Sequence, residues 1–222
     1  MNTTTDGPVF RTTGQTAVEP DHDCALCPRL HGFIAENRRL HPEWHNGPVK
    51  TWHPPEGPES VEFLVVGLAP GLRGANRTGR PFTGDASGDL LFSVLIDKGF
   101  AAGKDLRLKR TAITNAVRCV PPANKPVGAE INTCRVFLQS SITAMPRLRA
   151  IVSLGKIAHD STVRALEGRP AAHPFAHHQA TDVGNVRLFS SYHCSRYNIN
   201  TGRLTPEMFA ALFDDVRTFL SG

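Results

Sequence analysis

Between Gly67 and Gly88 the chain reads GLAPGLRGANRTGRPFTGDASG, a run with six glycines. Glycine lets backbone approach a ligand closely and present its N–H groups. Arg73, Arg77 and Arg80 in the same run suit phosphates, and Phe82 offers a face on which a base can stack. The Asp85 carboxylate suits acid–base work or the stabilisation of a developing cation. No Gly-Lys-Ser/Thr follows, so the run is not a P-loop, and its glycine spacing is not the dinucleotide fingerprint. The bland alternatives are a tight connection and, for Asp85, the cap of the helix that follows.

Four cysteines form a second set. Cys24 and Cys27 make a C-x-x-C knuckle, Cys119 lies far downstream, and Cys134 follows Cys119 after fourteen intervening residues. The N-terminus has no apolar core of a secretory signal, which points to a cytoplasmic chain in which thiols stay reduced. Metal or cluster binding is then favoured over disulfides, and four thiolates suit zinc and an iron–sulfur cluster equally. A fifth cysteine, Cys194, follows His193 and reads as a small buried residue. His173, His177 and His178 in AHPFAHH invite a metal reading, but they are taken as a loop.

The elements that must hold these residues are legible as apolar runs. Val61–Leu68, Thr111–Val117, Ala150–Leu154 and Val186–Ser191 read as four buried strands, with helical stretches between them. One short helix follows Cys27 through Leu30, Phe33 and Ile34. Ser87 is expected to cap a helix with Leu91, Val94 and Leu95 inward and Gly99 as its stop. Others run from about Ala129 to Thr143 and from Gly155 to Gly168. The last opens on Thr205-Pro206, with Met208, Phe209, Leu212, Phe213, Val216, Phe219 and Leu220 on one face. The expected fold is α/β, a three-layer α/β/α sandwich on a central four-stranded parallel sheet. Ligands of such sheets bind beyond the carboxyl ends of the strands, so the informative loops follow Leu68, Val117 and Ser191.

The 222 residues allow one domain, expected over 21–222 after a loose tail over 1–20. With 40% hydrophobic and 20% charged residues the chain is neither collagen-like nor wholly disordered. No run approaches the roughly 18 apolar residues of a membrane span. The net charge of +5 is concentrated: residues 70–125 hold ten basic and four acidic side chains. That surplus suits a polyanion, and an ordinary solvated basic face is the alternative.

GLAPG, then Phe82 and TGDASG, resembles the first motif of the uracil-DNA glycosylase superfamily, specifically its iron–sulfur type B enzymes, called family five. VRCVPPANKP, from Val117 to Pro126, is similar to that family's second loop. SYHCSR from Ser191, with TGRLT from Thr201, is similar to its last. The resemblance runs from about Cys24 to the C-terminus.

The resemblance implies a repair glycosylase that flips uracil, and other deaminated bases, out of double- or single-stranded DNA and hydrolyses the N-glycosidic bond. It implies a 4Fe–4S cluster on Cys24, Cys27, Cys119 and Cys134. It gives His193 the base oxygen, Asn124 the substrate or attacking water, and Asp85 the water or the cationic sugar. Phe82 would stack on the base, the backbone at Ala69 and Gly71 would meet its edge, and Arg77, Arg80, Arg196 and Arg203 would hold phosphates. Leu68-Ala69 departs from most branches, which carry a polar side chain there, and no intercalating leucine follows His193, leaving Tyr197 or Ile199 as the wedge. Two other functions compete: a non-catalytic metal-binding nucleic-acid module, and a hydrolase of free nucleotides. Asn124 is alternatively a turn residue and His193 a core histidine.

Overall fold

The computed structural model describes residues 17–222. In chain order they form α1 (Pro28–Leu40), β1 (Phe63–Gly67), α2 (Ala75–Thr78), α3 (Ala86–Asp97), a two-residue hairpin β2 (Ala101–Ala102) and β3 (Arg107–Leu108), and β4 (Thr111–Asn115). There follow α4 (Gly128–Thr143), β5 (Ala150–Leu154), α5 (Lys156–Ala165), β6 (Gln179–Val183), β7 (Val186–Ser191), α6 (Arg196–Asn200) and α7 (Pro206–Ser221).

β1, β4, β5 and β7 are the four expected parallel strands, in the order β4-β1-β5-β7. The sheet has a fifth member that the apolar runs did not reveal. β6 adds antiparallel to β7 at the edge, with alternate residues exposed. The period of two in β1 divides the core. Phe63 and Val65 pack with Leu91, Leu95, Phe209, Leu212 and Phe213 of α3 and α7. Leu64 and Val66 pack on the other face with Leu138, Ala158 and Val163 of α4 and α5. Helices thus cover both faces of a sheet, the three-layer arrangement expected.

The Pro-rich stretch before β1 is irregular, yet it protects the sheet. Trp52 exchanges two backbone hydrogen bonds with Ile113, at 2.9 and 3.0 Å, and so closes the free edge of β4. Most of the expected loose tail lies outside the described residues. Its last part is tied down: Val18 N–H donates to Ser140 Oγ at 2.7 Å, and Glu19 Oε1 accepts from Thr51 N–H at 3.1 Å.

The cap of α3 is Asp85, not Ser87. Asp85 has extended backbone and its side chain accepts the Gly88 N–H, whereas Ser87 already lies inside the first helical turn. The helix stops as expected, with Gly99 at φ +83°, where a side chain would be strained. α7 starts on Thr205, whose hydroxyl accepts from Met208 N–H at 3.2 Å.

Candidate active site

The loops beyond the carboxyl ends of β1, β4 and β7 meet around one cavity of about 290 Å³. β1 is the switch point of the sheet, because the chain runs to β4 on one side of it and then to β5 on the other. Ala69, Gly71, Phe82, Asp85, Asn124 and His193, six of the residues expected from sequence, all line this cavity.

Gly67 closes β1 with no room for a side chain. A Cβ there would meet the Phe82 ring at 2.6 Å and collide with Asn115 Oδ1. The bare backbone therefore lets both side chains rest against the strand end. Phe82 is buried, with φ +54°, and its ring lies within 26° of parallel to that of His193, centroids 6.1 Å apart.

Asp85 is both a cap and a pocket residue. Oδ1 accepts the Gly88 N–H at 3.0 Å, and Oδ2 faces the Cα atoms of Gly71 and Gly74. Its negative charge acts on His193. Burial pushes the His193 imidazole well below its ordinary value, and the Asp85 carboxylate only partly opposes this. The ring is thus neutral near pH 7, with one N–H to donate. Asn198 Nδ2 donates to the His193 carbonyl at 2.7 Å and fixes the loop that carries it.

Asn124 is exposed and lies in a short 3-10 turn, where it and Ala123 have φ +55° and +53°. Asparagine tolerates that conformation better than most residues. The turn reading holds, and the turn sets Asn124 at the cavity rim.

Asn115 is a pocket residue that sequence reasoning missed. It is the last residue of β4, 2% exposed, and its buried Oδ1 has no hydrogen-bond partner among the described residues. It was absorbed into the apolar run Thr111–Val117 as strand filler. An amide at the carboxyl end of a fully buried strand was the available signal. Ser87 and Ser195 line the cavity too.

The four arginines expected at phosphates are all exposed, but they differ in freedom. The Arg80 guanidinium lies 3.6 Å over the Trp52 ring and Arg203 lies 4.4 Å over Tyr192. Arg77 Nε donates to the Arg73 carbonyl at 2.9 Å. Arg196 opens α6, which Ser195 caps next to the cavity. On α6, Tyr197 is 72% exposed, whereas Ile199 is half-buried against the core.

Cys24, Cys27, Cys119 and Cys134 line one small pocket with Leu30, Phe137 and Arg118. The thiols come from the segment before α1, its cap, the loop after β4, and α4. All are free, and burial raises Cys119 strongly, raises Cys134 to about 11, and raises Cys27. Buried thiols drawn together in this way suit a group that binds thiolates and takes their protons' place. The Arg118 N–H already bonds to Cys134 Sγ at 3.2 Å, as a second-sphere donor to a bound sulfur would. Among the described residues no group of three or more His, Cys, Asp or Glu side chains is placed to hold a metal ion. Cys194 is separate. It is buried, its thiol is pushed up to about 12 by burial, and Sγ contacts the Ser87 carbonyl at 3.5 Å.

The histidine loop is structural. The His173 carbonyl bonds to His159 Nε2 at 2.7 Å, His178 pairs with Asp215 at 2.8 Å, and His177 stacks on Tyr192 within 10° of parallel.

Residues 54–217 match the family model described as the uracil DNA glycosylase superfamily. The chain is 42% identical over 199 residues to a type-5 uracil-DNA glycosylase of Thermus thermophilus, covering 84% of this chain and 89% of that protein. It is 38% identical to one of Pyrobaculum aerophilum, covering 85% of each, and 39% identical to one of Mycobacterium tuberculosis, covering 87% and 77%.

Proposed function

The chain belongs to the uracil DNA glycosylase superfamily, and from that premise we propose that it is a DNA repair glycosylase that excises uracil and leaves an abasic site. The observation that carries the reading is the meeting of Asp85, His193, Phe82 and the unpartnered Asn115 around one small cavity. Breaking an N-glycosidic bond develops negative charge on the base and positive charge on the sugar. A site for it needs a face for the flipped base, donors toward its oxygens, and a carboxylate near the sugar.

Phe82 supplies the face. The neutral His193 donates to a uracil carbonyl oxygen as charge builds there, and its donor is preorganised in a buried site where it counts for more than in water. Asn115 Oδ1, with no partner of its own, accepts from the uracil ring N–H, so an empty pocket carries an unmet acceptor that the base satisfies. Asp85 Oδ2 stabilises the sugar cation or orients the water, with Asn124 at the rim to position that water. The backbone at Ala69 and Gly71 meets the base edge, and the absence of a polar side chain at Leu68 and Ala69 suits other deaminated bases.

DNA approaches the rim through Arg77, Arg196 and Arg203, while Arg80, held flat on Trp52, presents a fixed cation. Tyr197 is the wedge that fills the stack when the base leaves. The four cysteines would hold a 4Fe–4S cluster, which supplies no step of base release and ties the segment before α1 to the β4–α4 connection. A cytoplasmic location, where thiols stay reduced, is consistent with this reading of the cysteines.

The test is an oligonucleotide with one uracil, single-stranded and in duplex, incubated with the protein and then treated with alkali. Strand cleavage at the uracil supports the reading. Binding without cleavage would point to a non-catalytic module, and release of base from free deoxyuridine nucleotides alone would point to a nucleotide hydrolase.

A further inference from the structure

Arg118 is the largest fully buried side chain of the molecule's described part, at 0% exposure. It lines the cysteine pocket. A buried guanidinium stays charged and is costly unless that charge is met. Its hydrogen bonds go mostly to neutral groups: Thr51 Oγ1 at 2.9 Å, Ser141 Oγ at 2.8 Å and the Phe137 carbonyl at 3.2 Å. The one carboxylate near it among the described residues is Glu19, at 3.7 Å, too far for a good hydrogen bond. Arg118 Nε and Glu19 Oε2 are both buried without partners. Glu19 does not line the cysteine pocket; Arg118 does. Arg118 thus joins the two sites: its guanidinium lies 3.7 Å from an imperfectly paired carboxylate, and its backbone N–H contacts the Sγ of Cys134, one of the four thiols.

We propose that Arg118 is a built-in counter-cation for the iron–sulfur group, offsetting the negative charge of the cysteinate-bound cluster from inside the protein, with Glu19 trimming that offset from the far side. The proposal rests on the 4Fe–4S reading of the four cysteines. Four thiolates around an iron–sulfur core leave a net negative charge, and adding an electron makes it more negative. A buried positive charge stabilises the reduced form more than the oxidised one, so it raises the reduction potential. A nearby carboxylate lowers it.

The experiment is an anaerobic redox titration of the holoprotein and of Arg118→Met and Glu19→Gln, with iron and sulfide content measured on each. Arg118→Met should shift the midpoint negative and Glu19→Gln positive. Each tenfold change in relative stabilisation of the two states reads as about 59 mV for one electron. Opposite shifts with iron retained are the expected result. Unchanged midpoints in both loaded variants would overturn the proposal and leave Arg118 a hydrogen-bond hub. If Arg118→Met fails to fold or load, Glu19→Gln decides alone: its amide oxygen can keep the hydrogen bonds from Thr51 and Ser141 while the charge is lost, so a positive shift supports the proposal and no shift overturns it. Zinc without iron in the wild-type protein would instead sink the cluster reading and the proposal with it, while leaving uracil release untouched as evidence for the glycosylase.

Discussion

Asp85 Oδ2 occupies the space that a side chain on Gly74 would need. A Cβ on Gly74 would collide with that oxygen and stand 3.0 Å from Asp85 Cγ. Gly74 is the N-cap of α2, and its missing side chain gives the Asp85 carboxylate this clearance.

Gly74→Ala should therefore push the Asp85 carboxylate out of place without unfolding the chain. Misplacing a reacting group by about an ångström costs on the order of a hundredfold. Single-turnover uracil release should fall by roughly that factor, with a melting temperature within a few degrees of wild type. An unchanged rate would mean that the position of Asp85 Oδ2 is unimportant.

The two tasks of Asp85 separate by substitution. Asparagine caps helices about as well as aspartate, so Asp85→Asn should keep the Gly88 hydrogen bond and the stability of α3. Asp85→Ala should lose about 1 kcal/mol of stability as well. Denaturant titration of the two variants beside their rates checks this. A large stability loss in Asp85→Asn would show that charge at the helix start, not the cap, is what matters.

How much of this was legible in the sequence follows from where each signal resides. The four parallel strands and the face of α7 are written in side-chain pattern, because burial on a sheet or against it demands it. β6 was not, since Gln179–Val183 is a half-exposed edge whose only apolar anchor is Val183. Its real mark is the Gly184-Asn185 turn into β7, with Gly184 at φ +61°. The pocket residues Asp85, Phe82 and His193 were legible through motif resemblance, because their loops carry unusual residues. Asn115 was hidden because a strand context makes a polar residue look like a tolerated exception. The buried Glu19–Arg118 pair was beyond reach, since it joins residues distant in sequence and lies partly in a segment read as tail.

Acid should loosen the fold before the carboxylates titrate. His53, His159, His177 and His193 are all pushed below the ordinary histidine value, in each case first by burial. The unfolded chain takes up these protons near pH ~6.5, while the folded chain resists them to lower pH. Unfolded protein then binds more protons, so stability falls as pH drops through roughly 6.5 and continues falling to the lowered folded values. Melting temperatures from about pH 8 to pH 5 should decline over that window. A flat profile there would mean that these rings are not held neutral.

DNA affinity should fall steeply with salt through counterion release. Arg77→Ala, Arg196→Ala and Arg203→Ala should each reduce the magnitude of the log–log slope by about one. Arg80→Ala should do less to the slope and more to stability, because its guanidinium is stacked on Trp52 and reaches the Asp105 carbonyl at 3.4 Å. Binding titrations at several salt concentrations, on a duplex with an abasic-site analogue, check this. Slopes unchanged from the wild type in all four variants would remove these arginines from the phosphate contacts.

The division of labour between base and sugar is open to a leaving-group test. His193→Ala and Asp85→Asn should each slow single-turnover uracil release by roughly ten- to a thousandfold. Neither should much weaken binding to an abasic-site duplex, because the work of both is done in the transition state. 5-Fluorouracil departs as a more stable anion and asks less of a donor on its oxygen. His193→Ala should therefore recover part of its loss on that base. Asp85 Oδ2 faces Gly71 and Gly74 rather than the ring stack of Phe82 and His193, which fits the task with the sugar and water proposed for it. Asp85→Asn should recover less, since a better leaving group leaves the sugar cation no easier to accommodate. Rates for both variants on uracil and 5-fluorouracil in one duplex decide the matter. Equal recovery would break the assignment of His193 to the base and Asp85 to the sugar, and full activity in Asp85→Asn would return Asp85 to the role of helix cap alone.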